Sequence, residues 1–307
     1  MKIVKLVSGG IDSYIMSREI TDGINLYIDF GQKYAKQEIK ALERLRVKFE
    51  KITINTTDTS AAINSNFYIN NRNLCLTTLA CMFYSPDIIY LGANKYDSHI
   101  DKSEYECEKM SEILSRYASE KLNGKKVIVK SPYWNKSKEQ MIEEFSDKQK
   151  LLDTFSCYNP INNKPCGDCP ACLRRTVLLE NIGLKTGVKL SERIIHENLN
   201  KIHPKDRDRL SRLIFYLQKS SKVTAVDIDG ILCECSNKPI LEKVPIKSNI
   251  DKLNNLGGYN LLFTARLEVD RKDTEQWLKK HKVKYDALIM SKLPYHTLID
   301  DRSKKEF

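Results

Sequence analysis

The order of residues 2–20 narrows the fold more than any other feature of the chain. A short apolar strand, KIVKLV, runs into Ser8-Gly9-Gly10-Ile11-Asp12-Ser13 and then into a helix-compatible run from Tyr14 to Ile20. Two glycines remove Cβ atoms where the backbone must curl, so turn N–H groups and the next helix N-terminus can converge on one anion. Ser8 and Ser13 add hydroxyl donors. Asp12 would repel a bare phosphate, which implies Mg2+ or an amine in the same site. Strand, glycine loop and helix in this order predict an α/β domain with a parallel sheet and a phosphate at the strand end.

Length and composition fit this reading. The chain has 307 residues, 41% hydrophobic and 30% charged, which suits about two core-forming domains and excludes disordered or collagen-like chains. No apolar run reaches the ~18 residues of a membrane-spanning helix. No signal-like leader precedes the first strand, so a cytoplasmic location is expected. Nine cysteines, an odd number, argue against a disulfide framework. Four fall as Cys157-x8-Cys166-x2-Cys169-x2-Cys172, with Gly167 and Pro170 at the turns. Thiolates at that spacing can close a tetrahedral site with no open position, which predicts structural zinc. Cys75, Cys81 and Cys107 show no ligand spacing.

The net charge of +11 is unevenly placed. Residues 185–222 carry 10 basic and 4 acidic residues, more than half of the excess. After Pro204, Leu210, Leu213, Ile214 and Leu217 fall on one helix face, with Arg207, Arg212 and Lys219 on the polar side. Asp206 and Asp208 suit the dipole of its first turn. The stretch 185–221 reads as a basic helical linker between domains at 1–184 and 222–307. A nucleic-acid or protein contact is the alternative use of its charge.

The glycine loop resembles that of the PP-loop ATP pyrophosphatases, and further residues choose a branch. Tyr27-Ile28-Asp29-Phe30-Gly31-Gln32-Lys33 resembles the FDYGQRH segment of the 7-cyano-7-deazaguanine synthase (QueC) family. Asn71-Arg72-Asn73 resembles its GRN, and Leu91-Gly92-Ala93-Asn94 with Asp97 its GVNxxD. Pro132 six residues before Lys138 reproduces a PP-loop spacing, and SCYNP…PCGDCPACLRR resembles the QueC zinc motif. The resemblance spans about residues 2–182 and implies an adenine nucleotide alpha hydrolase-like domain with a zinc knuckle.

It also implies roles. Ser8, Gly9, Gly10, Asp12 and Ser13 would bind ATP, with Asp12 and Lys138 catalytic. Asp29, Gln32, Arg72, Asn94, Asp97 and Glu106 would face the substrate. Two departures touch that pocket. Glu104-Tyr105-Glu106-Cys107-Glu108 stands where the family has YPDCR, and Lys33-Tyr34 stands for Arg-His.

The last 85 residues carry a second pattern. A strand over 222–226 ends in Asp227-Ile228-Asp229-Gly230, which puts two carboxylates on one side of an extended chain. Later apolar strands end in Thr264-Ala265-Arg266, near Lys292, and, over 297–299, in Asp300-Asp301. Polar clusters at strand ends are where parallel α/β sheets hold ligands. The order DxDG…T…K…DD resembles the haloacid-dehalogenase (HAD) superfamily of phosphatases, with gaps too short for a folded cap domain. The resemblance implies Asp227 as nucleophile and Asp229 as acid/base. Thr264 and Lys292 would hold phosphate, and Asp227, Asp229, Asp300 and Asp301 would bind magnesium. Ile231 replaces the Thr usual after DxDG.

The combined expectation is an enzyme using ATP, Zn2+ and Mg2+. It would adenylate 7-carboxy-7-deazaguanine, couple it to ammonia as a carbon–nitrogen ligase, and carry a phosphohydrolase domain. Two alternatives stay open: transfer of the acyl group to a protein amine in an anti-phage defence system, and a nucleic-acid-binding or tRNA-modifying adenylating protein. A small-molecule substrate is the expected partner, with no membrane. A protein acceptor, a second copy of the chain and a nucleic acid are left open.

Overall fold

The computed structural model describes residues 1–54, 71–95, 102–119, 126–201 and 207–292. The chain divides into two compact units, Met1–Lys189 and Leu190–Phe307.

In the first unit β1 (Ile3–Leu6), β2 (Ile24–Asp29), β3 (Glu50–Thr53), β4 (Ile88–Tyr90) and β5 (Ile128–Lys130) form a sheet in the order β3-β2-β1-β4-β5. Every pairing is parallel, with Val4 opposite Ile24 on one side and Ile89 on the other. Parallel strands are covered on both faces, and β1 shows how. Val4 and Leu6 enter one core with Ala80, Cys107, Met110 and Leu114, from α3 (Arg72–Tyr84) and α4 (Glu104–Ser119). Val7 points to the other core with Ile15, Leu42, Met141 and Leu178. Those residues come from α1 (Ile11–Glu19), α2 (Ala35–Arg44), α5 (Lys138–Glu144) and α6 (Pro170–Asn181). Lys5, buried in mid-strand, donates from Nζ to Ile20 O at 2.6 Å just past the end of α1. A cation there suits the carbonyl end of a helix.

The strand order reverses at β1. The chain builds β2 and β3 on one side, then crosses to β4 and β5, so the loops after β1 and β4 diverge and leave a crevice at their carboxyl ends. Residues 8–13 sit there. α1 starts at Ile11, earlier than the expected run from Tyr14, because Gly10 is an extended N-cap with φ −78° and ψ 168°. Asp12 and Ser13 thus lie in its first turn.

The second unit holds α7 (Glu192–Lys201), α8 (Arg207–Gln218), β6 (Val223–Val226), α9 (Lys247–Asn254), β7 (Tyr259–Phe263), α10 (Arg271–Lys280) and β8 (Ala287–Ile289). The strands form a parallel sheet, β6-β7-β8. Trp277 is wholly buried in its core and donates from Nε1 to Lys243 O at 2.9 Å. Much of the stretch 185–221 groups here. α7 packs on β8, its His196 Nδ1 is 3.0 Å from Asp286 Oδ1, and α8 buries Leu213 and Leu217. Pro204, Asp206 and the strand expected over 297–299 lie outside the described residues. Among the described residues no helix is long and apolar enough to cross a membrane.

Candidate functional site

The loop after β1 is shaped by two close approaches. Gly9 has φ +72°, and a Cβ on it would stand 2.9 Å from Glu38 O of α2. Glycine alone lets the loop lie down on that helix. From across the crevice comes Gly92, where a Cβ would sit 3.3 Å from both Ser13 N and Asp12 Cβ. Gly10 gives α1 no side-chain cap, so its first N–H groups face the crevice without an intramolecular partner of that kind. Ser13 Oγ accepts the Ser8 N–H at 3.1 Å and donates to Gly10 O at 3.1 Å. Ser13 is therefore the buried brace of the loop, while Ser8 is exposed.

Asp12 Oδ2 is 2.9 Å from Lys138 Nζ. Lys138 opens α5 behind a capping box in which Ser137 Oγ accepts the Gln140 N–H at 3.2 Å and Gln140 Oε1 accepts the Ser137 N–H at 2.8 Å. Asp12 Oδ1 is buried and has no hydrogen-bond partner. An orphaned carboxylate oxygen is costly, and one in the first turn of the helix beside an anion site fits a cation that arrives with a ligand.

Beside the loop, Gln32, Arg72 and Asp29 come together around Glu38, which the sequence reading passed over. Gln32 Nε2 donates to Tyr27 Oη at 2.8 Å and to Glu38 Oε2 at 3.2 Å, and its Oε1 accepts the Phe30 N–H at 3.0 Å. Tyr27 Oη donates to Glu38 Oε2 at 2.9 Å. Burial raises the Tyr34 pKa, and the Arg72 guanidinium, which lies near the Tyr34 hydroxyl, works to lower it. Burial pushes the Glu38 carboxyl up to about 7, against the pull of Gln32, Tyr27 and Arg72. Asp29 Oδ1 accepts the Gly31 N–H at 3.0 Å. Asn94 is buried and pairs with Tyr133 beyond β4 and β5. Glu106 sits in the first turn of α4, its N–H on Ser103 Oγ at 3.2 Å. Asp97 lies outside the described residues.

The four cysteines converge. Their sulfurs all lie within 4.8 Å of one another, with Cys157 to Cys166 at 3.5 Å and Cys166 to Cys172 at 3.9 Å. A tetrahedron with metal–sulfur bonds of about 2.3 Å has edges of about 3.8 Å, so the donor set fits a thiolate-bound ion such as zinc. A tight hairpin brings the first two ligands together. Ile161 and Lys164 exchange backbone bonds of 3.0 and 2.9 Å across Asn162 (φ 48°) and Asn163 (φ 64°), a two-residue turn that asparagine tolerates. Cys169 caps α6 ahead of Pro170 and accepts the Cys172 N–H at 3.4 Å. Crowding among the sulfurs splits the ionisation of these thiols, Cys169 shifted down and Cys157 and Cys172 up.

In the second unit polar side chains gather at the carboxyl ends of β6, β7 and β8. Asp227 Oδ2 pairs with Lys292 Nζ, and its Oδ1 accepts the Ile228 N–H at 2.7 Å. Arg266 forks onto Asp229, Nε to Oδ2 at 2.8 Å and Nη2 to Oδ1 at 2.9 Å, while Lys243 Nζ is 3.0 Å from Oδ1. Burial works to raise the Asp229 pKa, but Arg266 and Lys243 outweigh it and hold the carboxyl at about 2. Asp229 is therefore a carboxylate, not a proton donor, in this arrangement at neutral pH. Thr264 is buried, its Oγ1 accepting the Arg266 N–H at 3.2 Å. Asp300 and Asp301 lie outside the described residues.

Comparison with known proteins bears on the first unit. Residues 47–183 match the family model described as queuosine biosynthesis protein QueC. The 7-cyano-7-deazaguanine synthase of Leptospira interrogans is 29% identical over 213 residues, covering 60% of this chain and 88% of that protein. The synthase of Campylobacter jejuni is 23% identical over 222 residues, covering 61% and 97%. The first unit is QueC-like. Among solved structures, the U34-tRNA thiolase NcsA from Methanococcus maripaludis with its 4Fe-4S cluster aligns over 72% of this chain and 74% of that one. Its identity is 14% and its TM-score 0.30, a likeness too slight to argue from.

Within the QueC-like unit the family match takes in the four cysteines, Lys138, Arg72 and Asn94. Two charged residues escaped the sequence reading altogether, Glu38 and Lys243. Arg175 and Arg266 stood inside quoted motifs, PCGDCPACLRR and Thr264-Ala265-Arg266, without a role assigned to either.

Proposed function

We propose that the QueC-like unit is an ATP-dependent carbon–nitrogen ligase. It activates the carboxylate of 7-carboxy-7-deazaguanine as an acyl-adenylate and couples it to ammonia, giving the amide and then 7-cyano-7-deazaguanine. One observation carries this reading: the glycine loop, with Asp12 and Lys138 facing each other, sits where the strand order reverses. The carboxylate oxygen attacks the α-phosphorus, pyrophosphate leaves, and ammonia displaces AMP to give the amide. A second ATP then adenylates the amide oxygen with loss of pyrophosphate, and departure of AMP with the remaining nitrogen proton leaves the nitrile. The backbone N–H groups at residues 10–13 hold the departing phosphates, and the Lys138 ammonium offsets their growing charge. Asp12 would hold Mg2+ through Oδ1, and the ion when bound neutralises phosphate charge there. Gln32 acts through the protein, since its amide is committed to Tyr27, Glu38 and Phe30. Asp29, Arg72, Asn94, Asp97 and Glu106 are the proposed contacts to the base.

Incubation of the full chain with ATP, Mg2+, the deazaguanine acid and ammonia is expected to release AMP and pyrophosphate only when the acid is present. Mass spectrometry then finds the nitrile. Lys138→Met lowers ATP–pyrophosphate exchange at least about a hundredfold, as loss of one charged donor does. Absence of acid-dependent exchange sinks the reading. A deazaguanine acyl adduct on a protein or tRNA, with no nitrile, moves the acceptor from ammonia to that partner.

We infer that the second unit is a Mg2+-dependent phosphohydrolase. Support comes from Asp227, Asp229, Thr264 and Lys292 meeting at the ends of three parallel strands. Asp227 attacks phosphorus and the bond to the leaving group breaks. Thr264 and Lys292 hold the phosphoryl group until water hydrolyses the aspartyl-phosphate and phosphate departs. An incoming dianion competes for Arg266 and so frees the Asp229 carboxylate to take the proton of that attacking water. Phosphate release from pyrophosphate or AMP is expected in Mg2+ and lost, at least about a hundredfold, in Asp227→Asn. No release from either class of substrate rejects it.

A further inference from the structure

The segment 151–157 runs from the first core to the thiolate cluster, and neither proposed chemistry uses it. Its upstream half is gripped by Arg175 of α6. The Arg175 Nε donates to Thr154 Oγ1 at 3.2 Å, and Nη2 donates to Leu151 O at 3.1 Å and to Leu152 O at 2.9 Å. Arg175 is 9% exposed, and these hydrogen-bond acceptors are all neutral. A buried cation with neutral acceptors calls for negative charge nearby. Arg175 lies three residues after Cys172, one turn along the same helix. Four thiolates around a divalent ion leave a net charge of −2, and Arg175 is placed to offset it.

The downstream half is fixed by Cys157, one of the four sulfur donors. Between the two anchors stand only Phe155 and Ser156. Phe155 N–H donates to Gly9 O at 2.9 Å. Phe155 O and Ser156 Oγ both lie 3.7 Å from where a Cβ on Gly10 would be. Two residues held at both ends have little room to drift, and these two form a wall of the glycine loop.

We propose that Arg175 and the ion held by Cys157, Cys166, Cys169 and Cys172 together position Phe155 and Ser156, and through them the loop, so that metal occupancy and nucleoside triphosphate binding are coupled. Arg175 is a positioning residue in this device and touches no substrate. The nucleotide half of the proposal rests on the reading of residues 8–13 as an ATP site. Coupling is reciprocal: a metal that tightens nucleotide binding is itself bound tighter, by the same factor, when nucleotide is present.

The test uses hydrogen–deuterium exchange on the zinc-loaded full chain. Peptides over residues 8–14 and 151–157 are followed, with residues 24–29 of β2 as reference. Removing zinc with a chelator is expected to speed exchange about tenfold in the first two and to leave the third unchanged. Arg175→Lys, with zinc still near one per chain, loosens the same two peptides. A global response to the chelator with a local one in Arg175→Lys also supports the proposal. No change in the loop peptide in either arm overturns it, as does loosening of β2 together with the loop in both. In a second measurement saturating ATP raises about tenfold the zinc affinity read from equilibrium competition with a chromogenic chelator, and an unchanged affinity overturns the coupling. If calorimetry finds no ATP bound to the intact protein, the nucleotide reading of the loop is what fails, whatever the exchange pattern.

Discussion

Gly9→Ala is expected to lower ATP–pyrophosphate exchange about a thousandfold while the sheet keeps its fold. Alanine at φ +72° is disfavoured by about 1–2 kcal/mol. Its Cβ would also press to 2.9 Å on Glu38 O, a backbone atom of α2 that cannot swing aside. The cheaper response is for the loop to lift off α2, carrying the N–H groups of residues 10–13 away from the phosphates. Preorganised donors of this kind are worth about 3–4 kcal/mol, and a thousandfold is about 4 kcal/mol. The neighbouring Gly10→Ala is the control. Gly10 has φ −78°, and its Cβ would find Ser8 Oγ no closer than 3.5 Å, so its exchange stays within about tenfold of the parent. Steady-state exchange over a range of ATP, with circular dichroism as the check on folding, separates the two variants. A folded Gly9→Ala protein as active as the Gly10→Ala protein would mean that the loop does not cradle the phosphates.

Much of this was legible because it is local. The strand–glycine–helix order of residues 2–20 predicts a parallel α/β sheet, and the five parallel strands of the first unit agree. The spacing of the four cysteines predicts a closed site, and their sulfurs meet. What escaped depends on contacts between distant segments. Ser13 reads as a phosphate donor in the motif, yet its hydroxyl closes the loop internally. Glu38 reads as one more acid on an amphipathic helix, because nothing in the sequence says that Tyr27 and Gln32 will converge on its carboxyl. Arg175 is the second arginine of LRR, and only the fold turns it inward onto three acceptors. α7 was hidden in a stretch dominated by charge. Its Ile194, Ile195 and Leu199 find cover only once the second unit is assembled.

Arg266→Met is expected to destabilise the second unit by about 3 kcal/mol. The guanidinium is 6% exposed, and it supplies both bonds of a fork to Asp229 as well as contacts to Thr274 and Cys233. Methionine fills much of the same volume, so the cost is chiefly that of a part-buried carboxylate left to Lys243 and the weak Cys233 thiol donor. The pH dependence gives this prediction its sign. Asp229 is held at about 2, below its ordinary 3.8. In the parent its ion pairing adds stability above pH ~4, and that is lost as the pH falls through about 2, a swing of at most about 2 kcal/mol. In Arg266→Met burial dominates instead, the Asp229 pKa rises, and the acid loss at this site disappears. The chain has two tryptophans, and a Trp134→Phe background leaves Trp277, wholly buried in the second unit, as the fluorescent reporter of urea unfolding. The double variant Arg266→Met/Asp229→Asn should recover at least half of the loss, because removing both partners of a buried pair costs far less than removing one. A midpoint for Arg266→Met equal to the parent's at pH 7, with the same slope below pH 4, would show that the fork contributes nothing. The Asp229 carboxylate would then be free for proton transfer without any ligand drawing Arg266 away.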